Sequence, residues 1–381
     1  MYRFAAATAA LLASTAIAQA GGLDRNQTTT SILFESGTYV ELGYTNVSPS
    51  VSGALASNGT PSGDISPSFG YATLGYHHDI NDTLSFSLIV DAPYGADVSY
   101  PGRVATTGYP FAGSRAEVRS QQVTAALRYQ LTDSVSAYGG IRALRLQGEA
   151  DVSAATSTAG GFNYTLRAES DWEYGYMLGA AYEIPEIAMR VALTYFSDIE
   201  ATLTGTEGAA TVGLAALNQP VPAANISPTS FKVTMPQSVL LEAQSGIAEG
   251  TLLFGSVRWT DWEGFQIRPN RYPAGSLVSY TDDVWTWNIG IGRRVTEELA
   301  LSATLGYEAE QDGFSGNLGP TDGRLSIGLG AEYTVGAMSI AGGIQYSMIG
   351  DAQTANAANT LLANFNNNDA LAVGIRIGYQ F

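Results

Sequence analysis

The feature that most constrains this chain is a period of two. In its last segment, Leu371, Val373, Ile375, Ile377, Tyr379 and Phe381 fall on one face, and Ala372, Gly374, Arg376, Gly378 and Gln380 fall on the other. Successive side chains of a β-strand point to opposite sides, so strict alternation predicts a strand with one apolar and one small or polar face. The pattern recurs. Trp285, Trp287, Ile289 and Ile291 alternate with Thr286, Asn288, Gly290 and Gly292. Leu325, Ile327, Leu329 and Tyr333 alternate with Ser326, Gly328, Gly330 and Glu332, and Val123, Ala125, Leu127, Tyr129 and Leu131 with Thr124, Ala126, Arg128 and Gln130. No comparable stretch carries a 3.6-residue period, so few and short helices are expected.

Fourteen strands are expected, at 38–47, 69–79, 83–98, 116–131, 134–149, 162–183, 187–204, 229–243, 250–265, 281–294, 297–310, 321–334, 337–349 and 369–381. The links after the even strands are tight, near Ile80-Asn81-Asp82, Thr132-Asp133, Ile184-Pro185-Glu186, Gln244-Ser245-Gly246, Val295-Thr296 and Val335-Gly336. The links after the odd strands are longer, as at 48–68, 99–115, 205–228, 266–280 and 350–368, and are rich in Ser, Thr, Asn, Gly and Pro. A soluble sandwich also alternates in period two, but its Greek-key crossings give no reason for short and long links to take turns. A transmembrane barrel has short turns at one rim and long loops at the other. Many of these strands also exceed the ~5–6 residues of an ordinary strand and reach the ~9–11 that a tilted membrane strand needs.

Composition fits the same picture. Charged residues make up 14% of the 381, against about 25% in a soluble domain, yet no mature segment is a long apolar run. Charge on a lipid-facing strand is costly, about 2–4 kcal/mol for Arg or Lys at the midplane. There is no cysteine, which excludes disulfides, thiolate metal sites and a thiol nucleophile. Eighteen basic residues against 35 acidic ones argue against nucleic acid as a partner. The first 20 residues read as a signal peptide: Arg3, an apolar stretch from Phe4 to Ile17, then Ala18-Gln19-Ala20 as a small-x-small cleavage site. The expected division is thus 1–20 signal peptide, 21–37 N-terminal plug segment and 38–381 barrel. The aromatics suit an interface girdle: Trp259, Trp262, Trp285 and Trp287 toward the long loops, and Tyr129, Tyr182, Tyr333 and Tyr379 toward the short turns.

Signs of catalysis are weak. The two histidines, His77 and His78, are adjacent on a strand and so point to opposite faces. No phosphate-binding loop, dinucleotide fingerprint or zinc motif occurs. No enzyme activity, metal or cofactor is expected.

Several segments resemble the FadL/TodX/OmpP1-type transporters of long-chain fatty acids and hydrophobic compounds in the Gram-negative outer membrane. Asp91-Ala92-Pro93-Tyr94-Gly95-Ala96-Asp97 is similar to that family's third-strand region. Leu193-Thr194-Tyr195-Phe196-Ser197-Asp198-Ile199 is similar to its seventh strand. Met235-Pro236-Gln237-Ser238 followed by Val257-Arg258-Trp259-Thr260-Asp261-Trp262-Glu263-Gly264-Phe265 is similar to its ninth-strand signature, and Gly319-Pro320-Thr321-Asp322-Gly323-Arg324 to the approach to its twelfth. The resemblance implies a monomeric, all-β, 14-stranded antiparallel transmembrane barrel with an N-terminal luminal plug. It implies passive uptake of long-chain fatty acids or similar hydrophobic molecules, with sideways exit at a kink in the third strand and with outer-membrane lipid and lipopolysaccharide around the wall.

Pro93 lacks an N–H for the ladder and Gly95 relaxes the backbone, so Asp91, Pro93 and Gly95 mark the expected kink. The family's Asn-Pro-Ala stretch is absent here, and the expected plug is short: Leu23-Asp24-Arg25, then residues 28–34. Ile32, Leu33 and Phe34 are candidates to touch ligand, or else to begin the first strand. Leu88, Tyr94 and Phe111 are candidate apolar lining. A carboxylate ligand calls for a cation, and Arg128, Arg142, Arg145, Arg258 and Arg376 lie on strands; Arg128 and Arg142 are the chosen candidates, with Arg128 and Arg376 inward by parity. Two other readings remain open: a general or solute-selective diffusion porin, and an adhesive barrel whose loops bind partners.

Overall fold

The computed structural model describes residues 22–26, 28–356 and 358–381; the expected signal peptide lies outside them. Fourteen antiparallel staves close into a barrel. They are β1 (Thr38–Ser50), β2 (Phe69–Asn81), β3 (Leu84–Asp91, resuming at Gly95–Ser99), β4 (Arg115–Gln130), β5 (Val135–Ala155), β6 (Gly160–Ser170, then Glu173–Ile184) and β7 (Met189–Phe196, then Ile199–Gly213). They continue as β8 (Ile226–Met235, then Ser238–Ala248), β9 (Thr251–Thr260), β10 (Val284–Arg294), β11 (Leu299–Glu308), β12 (Arg324–Val335), β13 (Met338–Ile349) and β14 (Asn368–Gln380). The ring is closed by β1 against β14, from Tyr39 opposite Gln380 to Ser50 opposite Asp369. Closure pairs the first stave with the last, so the sheet as a whole ends in no free edge strand, which is what a hydrocarbon environment demands.

The outward face is apolar where it would meet lipid. Leu42, Ile141, Leu193, Ile289, Leu329, Ile344 and Val373 are all exposed. A continuous exposed apolar belt of this kind marks a membrane surface. Tyr129, Tyr182, Tyr333 and Tyr379 stand exposed at its short-turn rim, and Trp285 and Trp287 at the other. Trp262 departs from the expected girdle. It is fully buried, with ring contacts to Tyr94, Phe265 and Tyr280, because the chain turns inward after β9 ends at Thr260.

The alternation of short and long links holds with one exception. The link between β5 and β6 is only residues 156–159, since both strands run on beyond the apolar belt. The turn expected at Gln244-Ser245-Gly246 also shifts, to Glu249-Gly250, where Gly250 takes φ +64°.

Four staves are interrupted, not only β3. The breaks fall at residues 92–94, 171–172, 197–198 and 236–237. Side chains make bonds where the ladder lapses. Ser120 Oγ accepts from the Tyr94 N–H at 2.9 Å and donates to the Tyr94 carbonyl. Ser170 Oγ accepts from the Leu146 N–H at 3.0 Å and donates to the Asp171 carbonyl. Ser197 Oγ accepts from the Tyr176 N–H at 2.9 Å and donates to the Asp198 carbonyl. Buried backbone groups need partners, and these serines supply them.

Above the breaks the barrel wall changes character. In the lower part of β5 the inward residues include Ser136 and Arg142, and Ile141 points out; in the upper part Leu144, Leu146, Ala150 and Val152 are buried, and Arg145, Gln147, Glu149 and Asp151 point out. This upper wall is laced by ion pairs, including Arg115–Asp151, Arg167–Asp151 and Arg145–Glu169.

Candidate functional site

The N-terminal segment runs inside the barrel and ends in a 3-10 turn, Ser31–Phe34. Leu33 is fully buried among Ala126, Tyr138, Met177, Ala192, Phe196 and Leu240. Phe34 meets Tyr138 edge-on at 5.7 Å, and the guanidinium groups of Arg128 and Arg190 lie over its ring at 4.7 and 4.2 Å. The three residues therefore do not begin β1; they form the turn before it. Higher up, Arg258 donates to the Thr28 carbonyl, Thr28 Oγ1 donates to Asp91, and Thr30 Oγ1 donates to Glu242.

At the top of its path this segment meets the break in β3. The N–H groups of Arg25 and Asn26 donate to the Pro93 carbonyl at 2.8 and 3.2 Å, and the Gly95 N–H donates to the Leu23 carbonyl at 2.8 Å. Asp24 bridges Tyr94. Its carboxylate accepts from Trp262 Nε1 at 3.3 Å, and burial pushes its carboxyl above the ordinary aspartate range. The segment is bonded to the strand at the positions where the strand has lost its own ladder.

The break leaves a window in the wall. Pairing of β2 with β3 starts at Leu74 opposite Val90. Residues 69–73 of β2 are laddered to β1 alone, and the resumed part of β3, Gly95–Ser99, is laddered to β4 alone. Among the described residues no ladder spans the gap between them. Beside it, inside the barrel, lies an apolar cavity of about 40 Å³ lined by Leu23, Ala96, Leu146, Leu166, Leu203 and Phe231. Below, a larger chamber of about 180 Å³ has a mixed lining, with Glu41, Glu242 and Arg376 beside Ile32, Leu240 and Phe254.

The residues chosen from sequence fall in three places. Asp91, Pro93, Tyr94 and Gly95 are together at the break, with Asp91 and Tyr94 buried. Ile32, Leu33, Phe34 and Arg128 gather at the short-turn end, where Arg128 bonds Glu183 and donates to Ser136 Oγ at 2.9 Å. Arg142 lies between them, donating to the Ser197 carbonyl at 2.8 Å and to Gln122 at 2.9 Å. Phe111 sits in the loop above, 6.1 Å from the Tyr100 ring. Leu88 is a correction. It alternates with buried Ser87 and Ile89 and faces outward beside Ala125, so it belongs to the lipid face and not to the lumen.

Sequence reasoning missed Leu23, Leu146, Leu166, Leu203 and Phe231 as lining. A signal existed: along β5 the apolar residues switch parity between Ile141 and Leu144, which moves the apolar face from outside to inside.

Comparison with known proteins fits this geometry. No curated protein matches the chain. Among solved structures, a FadL homologue from Pseudomonas aeruginosa superposes with a TM-score of 0.77 at 15% identity, over 97% of this chain and 98% of that one. The Pseudomonas putida toluene transporter TodX gives 0.65 at 12% identity, over 92% and 94%. The Ralstonia pickettii toluene transporter TbuX gives 0.63 at 14% identity, over 91% and 90%. These likenesses establish the shared fold. The family described as outer membrane protein transport protein (OMPP1/FadL/TodX) matches residues 11–381. The chain therefore belongs to the OMPP1/FadL/TodX family of outer-membrane transport proteins, as a barrel of the Gram-negative outer membrane and a transporter rather than an enzyme.

Proposed function

We propose that this barrel takes up hydrophobic small molecules passively, holding them in the apolar cavity and releasing them sideways through the window between β2 and β3. The observation that carries this reading is the adjacency of that cavity to the unladdered gap: Ala96, in the resumed part of β3, lines the cavity. Long-chain fatty acids are the proposed cargo. Toluene, which TodX and TbuX carry by their descriptions, is a second cargo of the same apolar character. The cavity is lined chiefly by aliphatic side chains, so it offers a tail subsite in either case. The proposed state is a monomer.

The test is to restore strand character at the break with Pro93→Val and Gly95→Val together. Folded barrel should still be recovered, while oleate uptake into vesicles carrying the variant should fall to the level of empty vesicles. Uptake equal to wild type would sink the lateral exit. The porin reading draws on the charged residues in the larger chamber, Glu41, Glu242 and Arg376, and steady ion conductance of the intact chain in a planar bilayer would favour it instead.

A further inference from the structure

The window is not empty. Arg25, on the N-terminal segment, is buried, and its guanidinium lies 4.1 Å over the ring of Phe69 on the opposite edge of the gap. The side chain thus reaches from the β3 edge, where its N–H is bonded to Pro93, across to β2. Gly95 makes room for it: a Cβ there would stand 2.7 Å from Arg25 Nε. Against the guanidinium is a small cavity of about 20 Å³ whose lining includes Val51, Ile65, Phe69, Val98 and Pro320. Arg25 Nε is buried without a hydrogen-bond partner. The carboxylates of Asp97 and Glu117 attract the group and Arg119 repels it.

A buried guanidinium with unmet hydrogen-bonding capacity is a poor structural filler, since an unpaired buried donor costs stability. It is a good receptor for an anion, because its planar fork binds a carboxylate through two bonds. An anionic head offers it new acceptors, and Asp97 and Glu117 give it somewhere to swing. A neutral apolar molecule offers none of this and must displace the cation from the ring unaided.

We propose that Arg25 is the specificity-determining residue of the window: its guanidinium stoppers the gap against neutral apolar molecules and gives way to a ligand with an anionic head. This rests on the lateral-exit reading but is tested separately from it. Oleate and oleyl alcohol share a chain and differ in charge, so their uptake ratio into vesicles reads the selectivity. Arg25→Ala should lower the oleate preference by about 2- to 30-fold, the range that loss of one cation–π contact spans. Arg25→Lys, which keeps the charge and loses the planar fork, should lower it less than Arg25→Ala does.

The seal itself is read by a thiol. The chain has no cysteine, so Val98→Cys, buried beside the guanidinium, gives a single reporter for a membrane-permeant maleimide. Labelling should be slow with Arg25 present and several times faster in Arg25→Ala. Unchanged labelling would overturn the seal, and an unchanged uptake ratio would overturn the selectivity. Faster labelling, with wild-type uptake of both probes no better than empty vesicles, would support the seal and sink the lateral exit.

Discussion

Leu33 and Asp322 show what single side chains contribute here. Leu33 is a fully buried aliphatic anchor at the short-turn end of the N-terminal segment. Leu33→Ala leaves a cavity among Tyr138, Met177 and Phe196, and such truncations cost about 2–5 kcal/mol. The expected outcome is faster amide exchange over residues 28–34 with unchanged heat-modifiable gel mobility of the barrel. Asp322 lies in the link between β11 and β12, where its Oδ1 accepts from the Gln311 N–H at 2.9 Å. Burial raises its carboxyl to about 6. An unfolded aspartate titrates near 3.9, so between about 4 and 6 the folded loop binds the extra proton. Its stability is full below that window and is lost as pH rises through it. Intrinsic-rate-corrected exchange over 309–323 should be slower at pH 4.5 than at pH 7, and Asp322→Asn should flatten the difference.

The strands were largely legible from sequence, and the reasons for the misses lie in their breaks. The alternation at Leu371–Phe381 predicted β14 because each outward residue meets lipid and each inward one meets the lumen. Pro93 announced the break in β3, since a proline cannot donate to a ladder. The breaks in β6 and β7 carry no proline. They depend on Ser170 and Ser197 bonding backbone groups of other staves, a relation that becomes visible only when the strands are side by side. Leu88 was misplaced for the same kind of reason: an apolar residue on a barrel strand reads alike on either face until the register is fixed. The N-terminal segment was expected to be short and luminal, but its pairing with Pro93 and Gly95 joins positions about 70 apart in sequence and follows from no local pattern. If the serines replace ladder bonds, Ser197→Ala should cost about 1–3 kcal/mol locally. Exchange of the Tyr176 amide should rise, while that of β10, on the far side of β9, should not.

At the scale of the molecule, the barrel combines a lipid-facing lower cylinder with an upper cylinder whose apolar side is turned inward. The low overall charge comes from the first, and much of the acidic and basic complement stands on the outside of the second and in the loops. The luminal segment is held on the β3–β8 side through Leu33 and the β3 break, and it forms one wall of the chamber, which Asn26, Thr28 and Ile32 line opposite residues such as Asn288, Gln345 and Arg376. Removing residues 22–34 should therefore join the chamber to the space above it. The intact protein should show little steady conductance in a planar bilayer and the truncated one a large, stable conductance; equal conductance would mean that the segment does not obstruct the lumen.

The interrupted staves have a mechanical consequence. A continuous ladder is stiff because neighbouring strands share load through many equivalent bonds. Where Ser120, Ser170 and Ser197 take over, the load passes through single hydroxyl rivets. The interruptions are linked around the wall, since Ser120 stands opposite Leu146, whose amide is held by Ser170. They fall in β3, β6, β7 and β8, on one side of the cylinder, with β4 and β5 unbroken between them. Local opening should therefore start at these breaks, at the height where the N-terminal segment is pinned to the wall through Pro93 and Gly95, while the continuous β4 and β5 hold the two cylinders together.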